Sequence, residues 1–345
     1  MSTITIYDIA KEACVSPATV SRVLTGSAKV RPAKEREIRK VMAKHNYSPN
    51  AMAQSLIAGR SKLIGMIVAD IRNPYYAELC VACEVAAKNL DYRVVLCNVF
   101  DDVGLQEDSL KIFSAQRVDA IIQLGCLTDR VNDAVDYINK IDSLSVPFIS
   151  AGKFDIENAY TYSVDHSEGL RLAFEYLHEM GHERIALLGG RLDVRPTFEK
   201  WTKYIYLLGL YGIPLRSDYV QEGSYDYAGG FDCMNRLLDL SDPPTAVISV
   251  NDYASVGALS AINARGLRCP DDISIVSHDN TLLTKITTPV LASVDACYEQ
   301  LGSGLVSTAI GLINGEKFPK ETYLTPHLIP GASCAPPKDT TICIN

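Results

Sequence analysis

Hydrophobic spacing divides the chain into a helical head and a longer alternating body. Near the start, Ile6, Ile9, Ala10 and Ala13 fall on one helical face, and the segments PATVSRVL and AKEREIRKVMAKH repeat that helical character. Thr5 is placed to cap the first helix, Asp8 three positions on favours its positive end, and the helix runs to about Ala13. Ser16 followed by Pro17, a cap residue ahead of a proline at the first helical position, opens the second helix across a turn at Cys14 and Val15. Such a helix-turn-helix offers the amino-terminal side chains of its second helix to base edges in a DNA major groove. Pro32 opens a third helix ending near Asn46, and Pro49 to Leu56 makes about two further turns, too short to be stable alone.

From Leu63 the rhythm changes. Short apolar runs (LIGMIVA, RVVLCNV, AIIQL, VPFISA) alternate with helical patterns, and after Asp165 the alternation restarts through IALLGG, TAVISV and ISIVS. This signals parallel sheets covered on both faces, in two similar α/β lobes joined by crossovers. The expected organisation is a head over residues 1–46, a hinge or linker over 47–60 and a two-lobed body over 61–345.

Charge sharpens that division. The whole chain of 345 residues has a net charge of −8, which alone argues against a nucleic-acid partner. Residues 1–60, however, carry ten Lys or Arg against four Asp or Glu, so a basic head sits on an acidic body. The ten cysteines are mostly scattered singly, Cys80 and Cys83 lie in a helical pattern without a second CxxC, and the amino terminus lacks a secretion-signal pattern. The expectation is a cytoplasmic protein with reduced thiols. Leu301 to Gly315 is charge-free but interrupted by Gly, Ser and Thr, and no apolar run reaches the roughly 20 residues that span a bilayer.

The segments IYDIAKEACVSPATVSRVL, Tyr47-Ser48-Pro49-Asn50 and Ala53-Gln54-Ser55-Leu56 resemble the lactose-repressor (LacI/GalR) family of bacterial transcription regulators. The resemblance continues through NPYYAEL, VDAIIQ, GHERIALLGG, TAVISVND, PDDISIVSHD and TTPVLASV, nearly the whole chain. It implies an all-α helix-turn-helix head on an α/β, two-lobed, periplasmic-binding-protein-like effector domain with parallel sheets. It also implies that Pro17, Ala18 and Arg22 face base edges, that Tyr7, Ser16, Thr19, Ser21, Thr25 and Tyr47 contact or orient on phosphates, and that Thr5 belongs to the DNA-binding set. The chemistry agrees: Arg can read guanine O6 and N7 bidentately, Ala can touch a thymine methyl, and hydroxyls suit phosphate oxygens. The segment holding Asn50, Ala53 and Leu56 would be a hinge helix that folds beside its dimer mate in the minor groove, with Leu56 as a wedge. Taken alone, Leu56 reads equally as a linker residue packing on the body; beside the head motif the wedge is the expected role. Two positions depart from the family pattern: Cys14 replaces the usual turn glycine, and Thr25 a common Asn.

In open parallel sheets, ligands bind beyond the carboxyl ends of the strands, here between the lobes. Asp70, Asn73, Tyr75, Asn251, Asp252 and Asp279 follow strand patterns, and the resemblance makes Asn251 and Asp279 effector contacts. It also aligns Tyr225 with an aromatic that stacks on sugars, and Lys200 with the family's effector-binding Arg, whose planar fork Lys cannot reproduce. Alternative readings are a turn residue for Asn73, a helix cap for Asp252, packing for Tyr225 and a structural role for His166. The family's Asp-Arg pair appears here as Gly152-Lys153.

Three functions compete: a homodimeric regulator of operator DNA controlled by a sugar or related metabolite, a solute-binding protein, and an enzyme. The lobes alone would suit solute binding, which has no use for a basic head. GxGxxG, P-loop, GxSxG and HExxH motifs are absent, so neither catalysis nor a cofactor or metal is expected. APPKDTTICIN at the end carries no leucine heptad, so the expected assembly is a dimer.

Overall fold

A computed structural model describes residues 4–25, 29–45, 47, 59–126, 135–153 and 157–338. It forms two compact units that divide between Lys62 and Leu63.

The first unit holds three helices, α1 (Ile6–Glu12), α2 (Pro17–Thr25) and α3 (Pro32–Lys44). Their apolar faces meet in a small core of Ile9, Ala10, Ala13, Val20, Val23, Ile38 and Val41. Burial of these residues is the main source of stability for helices too short to persist alone. The Glu12 carboxylate accepts from Lys44 Nζ at 2.6 Å and lies 2.5 Å from His45 Nε2, tying the end of α1 to the end of α3.

The second unit contains two sheets. The first runs β11-β5-β4-β3-β1-β2, with β1 (Leu63–Val68), β2 (Arg93–Asn98), β3 (Ala120–Leu124), β4 (Phe148–Ser150), β5 (Ala159–Val164) and β11 (Glu321–Leu324), all parallel. Helices α4 (Pro74–Asn89) and α12 (Tyr298–Ile313) pack together, and α5 (Val103–Gln116) and α6 (Val135–Asp142) belong to the same lobe. Two apolar clusters result, one containing Leu79, Cys83, Leu301 and Leu305, the other Leu110, Phe113, Tyr137 and Ile141. β1 is buried along nearly its whole length, as a central parallel strand between helical layers must be.

The second sheet runs β12-β10-β9-β8-β6-β7, with β6 (Ile185–Leu188), β7 (Val220–Gln221), β8 (Ala246–Ser249), β9 (Ser274–Asp279), β10 (Ala292–Asp295) and β12 (Leu328–Ile329). Its pairings are parallel except for β12, which adds an antiparallel edge to the expected parallel sheet. The helices of this lobe are α7 (His166–Glu179), α8 (Arg195–Leu210), α9 (Tyr227–Leu238), α10 (Asp252–Ala264) and the short α11 (Leu282–Ile286).

The chain crosses between lobes three times, after β5, after β10 and after β11. The crossings are stitched together: Asp165 N–H donates to the Leu324 carbonyl at 3.0 Å, and Asp295 N–H to the His327 carbonyl at 2.9 Å. Neither lobe is therefore one continuous stretch of chain, since α12 and β11 return late to complete the first. No helix among the described residues is long and apolar enough to cross a membrane.

Candidate functional site

In the head, the Asp8 carboxylate accepts from both the amide and the hydroxyl of Thr5, at 2.8 and 2.7 Å, and these bonds hold the Asp8 carboxyl below its ordinary range. At the other end of α1, Val15 N–H donates to the Ala10 carbonyl and Cys14 N–H to that of Lys11, the paired bonds of a Schellman turn. That turn needs a left-handed residue, and Cys14 supplies it with φ +50. The non-glycine at this position thus adopts the conformation for which glycine is preferred.

Ser16 Oγ accepts the Thr19 amide at 3.2 Å and lies 2.9 Å from Thr19 Oγ1, so it caps α2 as the Ser-Pro pattern predicts. Val20 and Val23 point into the core, which leaves Ala18 and Arg22, one turn apart, exposed on the opposite face. Pro17, Thr19 and Ser21 are half-buried beside them, Thr5 and Ser16 are exposed, and Tyr7 is 70% exposed. Tyr47 packs on the head core, and its amide donates to the Met42 carbonyl at 2.9 Å. The side chain of Thr25 and all of Asn50, Ala53 and Leu56 lie outside the described residues.

Between the two lobes of the second unit lies a cavity of about 430 Å³, and Asn73, Tyr75, Lys200, Tyr225, Asn251 and Asp279 all line it. The cavity gathers at the strand ends because loops and helix starts converge there in both sheets. Asn73 caps α4, its Oδ1 accepting the Tyr75 amide at 3.1 Å. Asn251 caps α10 through Oδ1, which accepts the Ala254 amide at 2.8 Å, and donates through Nδ2 to the Tyr225 carbonyl at 2.9 Å. Tyr225 Oη accepts the Arg191 amide at 3.2 Å and lies 2.8 Å from Thr197 Oγ1.

Lys200 is buried and donates from Nζ to the Val250 carbonyl at 2.9 Å. Burial pushes its ammonium down while the charge of Asp279 opposes that shift. The same burial, with Asp252 nearby, pushes Asp279 up. Asp279 has φ +100 and Asn280 φ +55, two left-handed residues in succession at the end of β9. No described residue hydrogen-bonds the Asp279 carboxylate.

What holds that turn is Asp252, a residue whose carboxylate the sequence left open between cap and ligand contact. It is fully buried and accepts from Thr281 N–H (2.6 Å), Thr281 Oγ1 (2.9 Å), Ser277 Oγ (2.5 Å) and Ser293 Oγ (2.9 Å). Asn251 is the cap; Asp252 anchors the strand ends behind the cavity wall. His166 also lines the cavity, and burial beside Lys200 drives its imidazole down to about 3, so it is neutral at physiological pH.

Sequence reasoning missed Phe100, Asp101, Arg191 and Tyr253, which line the cavity too. Phe100 and Asp101 follow β2 and Arg191 follows β6, so the rule that ligands gather at strand ends was the signal that could have found them.

Residues 5–50 match the model for bacterial regulatory proteins of the lacI family, and residues 174–334 the model for a periplasmic binding protein-like domain. The chain is 33% identical over 325 residues to the HTH-type transcriptional repressor PurR of Pasteurella multocida, covering 94% of this chain and 96% of that one. Its fold matches the lac repressor dimer bound to operator and the anti-inducer ONPF, with a TM-score of 0.87 at 28% identity over 97% of this chain and 100% of that one. A CelR–cellobiose complex, also a transcriptional regulator, matches with a TM-score of 0.72 at 25% identity over 96% and 99% of the two chains. With helical head, two-lobed body and full-length relatives in agreement, this chain belongs to the lacI family of DNA-binding bacterial transcriptional regulators.

Proposed function

We propose that the protein is a homodimeric repressor whose grip on a roughly palindromic operator is set by a neutral, polyhydroxylated effector, a sugar or oligosaccharide, bound between the lobes. The observation that carries the effector reading is the Asp279 carboxyl, which no described residue hydrogen-bonds, beside the buried Lys200 amine, two polar groups able to bond neighbouring hydroxyls. The guanidinium groups lining the cavity are already matched by carboxylates: Arg72 by Asp70 at 2.7 Å, Arg191 by Asp193. A phosphorylated ligand would have to compete with those carboxylates, whereas a neutral polyol would not. The aromatic rings of Tyr75 and Tyr225 suit the apolar faces of a sugar ring. The structural likeness to a cellobiose-bound regulator supports the same class.

In the head, Arg22 and Ala18 would read bases while Ser16, Thr19 and Tyr7 contact phosphates. The hinge residues Asn50, Ala53 and Leu56 would order in the minor groove against the same residues of a second copy. Effector binding would bias the relative orientation of the lobes, and with it the folding of those hinges.

The test begins by selecting the operator from random duplex DNA with the full-length protein. Neutral sugars, sugar phosphates and nucleosides are then titrated against the complex and against Asp279→Ala. A neutral sugar that changes operator affinity at least five-fold, and raises unfolding free energy by about 2.7 kcal/mol at a hundred times its Kd, is the expected result. Both effects should vanish in Asp279→Ala. A response confined to phosphorylated or nucleoside ligands would overturn the neutral-polyol reading.

A further inference from the structure

The turn between β2 and α5 holds two consecutive non-glycine residues in the left-handed region, Phe100 at φ +48 and Asp101 at φ +61. Such conformations persist only where their surroundings impose them, and they cluster at ligand clamps and switch regions. Asp102 N–H donates to the Val99 carbonyl at 2.8 Å, Val99 N–H to the Val68 carbonyl of β1 at 3.0 Å, and the Asp102 carboxylate caps α5 through the Leu105 amide at 2.8 Å. These bonds close the turn without explaining what it carries. Phe100 is 56% exposed yet lines the interlobe cavity.

The side chains at this rim are arranged in complementary charge. On the first lobe, the Arg72 guanidinium lies 5.4 Å from the Phe100 ring centroid and is clamped by Asp70. The charge of Asp226 on the second lobe adds a weaker electrostatic attraction. Asp101 lies 3.8 Å from Arg191 Nη1, again across the cleft, and Arg191 is itself clamped by Asp193. The first lobe thus presents a cation and an anion to an anion and a cation on the second.

We infer that the Phe100–Asp101 turn is a flap that completes the effector site from the first lobe, carrying Phe100 over the mouth while Asp101 and Arg191 latch it to the second. The inference rests on the reading of the cleft as the effector site. Asp101 and Arg191 are each about two-fifths exposed, and an ion pair at 3.8 Å in that setting is weak. The latch therefore biases the flap rather than locking it, as a segment that must open for a ligand requires.

Hydrogen exchange of the amides of residues 98–106, measured in full-length protein without effector or DNA, tests the latch. Asp101→Asn keeps a residue tolerant of the left-handed region and removes the charge; Arg191→Gln removes the partner charge and, with it, the pairing to Asp193. Each single change should speed exchange in this segment about two- to five-fold, and the double change no further than either alone. Raising NaCl from 0.05 to 1 M should reproduce the effect in the parent and leave Asp101→Asn unmoved. Unchanged exchange of the α10 amides confirms that each variant is folded. Identical exchange in parent and variants, or additive effects in the double change, would overturn the flap. Since no effector takes part, either outcome leaves the polyol reading of the cleft to stand or fall by its own titration.

Discussion

Asn251 is joined to Tyr225 from side chain to backbone, its Nδ2 donating to the Tyr225 carbonyl at 2.9 Å while its Oδ1 holds the Ala254 amide. Both polar ends of the amide are spent inside the protein. Asn251→Ala removes a helix cap and leaves a partner carbonyl unsatisfied, so it should lower unfolding free energy by about 1 to 3 kcal/mol in urea titrations even without effector. Unchanged stability would show instead that the residue serves a ligand alone.

Cys14 sits at φ +50 in the turn that joins α1 to α2. Cys14→Gly should relieve the cost of a left-handed side chain and stabilise the head by about 1 kcal/mol. Slower hydrogen exchange of the α1 and α2 amides in full-length protein is the readout, and faster exchange would refute it.

Arg22 is exposed on α2, one turn beyond Ala18. Arg22→Ala should weaken binding to the selected operator by about 1 to 3 kcal/mol and relax preference at one base pair. Equal weakening on every sequence would move Arg22 from base to phosphate.

His182 is buried, with Nε2 donating to the Ala335 carbonyl at 2.9 Å and Nδ1 lying 2.8 Å from Thr245 Oγ1. Burial pushes its imidazole below the ordinary value. As pH falls below about 6.5, the unfolded chain takes up a proton that the folded imidazole refuses, so stability is lost on acidification. As pH falls from 6.5 to 5 the parent should lose more stability than His182→Gln. Parallel pH profiles for the two would rule this out.

The head was largely legible because its signals are local: the Ser16 cap, Pro17, the spacing of Val20 and Val23, and a basic excess confined to sixty residues. The six effector candidates were also brought to one cavity, since strand ends in parallel sheets converge whatever their side chains. Which atoms remain free there was not legible. Nothing in the sequence distinguishes an Asn251 amide spent on Tyr225 from one facing a ligand, because that depends on residues 26 positions apart. The close approach of α9 to α10 was equally hidden: a Cβ on Gly230 would fall 1.9 Å from the Ala254 carbonyl oxygen, and one on Gly257 2.0 Å from that of Tyr227. The left-handed pair Phe100–Asp101 carries no glycine to announce it. β11 and β12 are too short to show a periodicity, and their pairing is set by contacts distant in the chain.

The late return of α12 and β11 to the first lobe also governs how the protein is made. On a ribosome adding roughly 5 to 20 residues per second, β1 to β5 emerge on the order of ten seconds before Leu301 and Leu305 are available to cover Leu79 and Cys83. For that interval the nascent sheet carries a bare oily flank, and all of the second lobe except β12 and the segment after it is synthesised within it. Chaperone capture during translation should therefore concentrate on the α4 face, and slowed elongation between residues 164 and 298 should cost soluble yield.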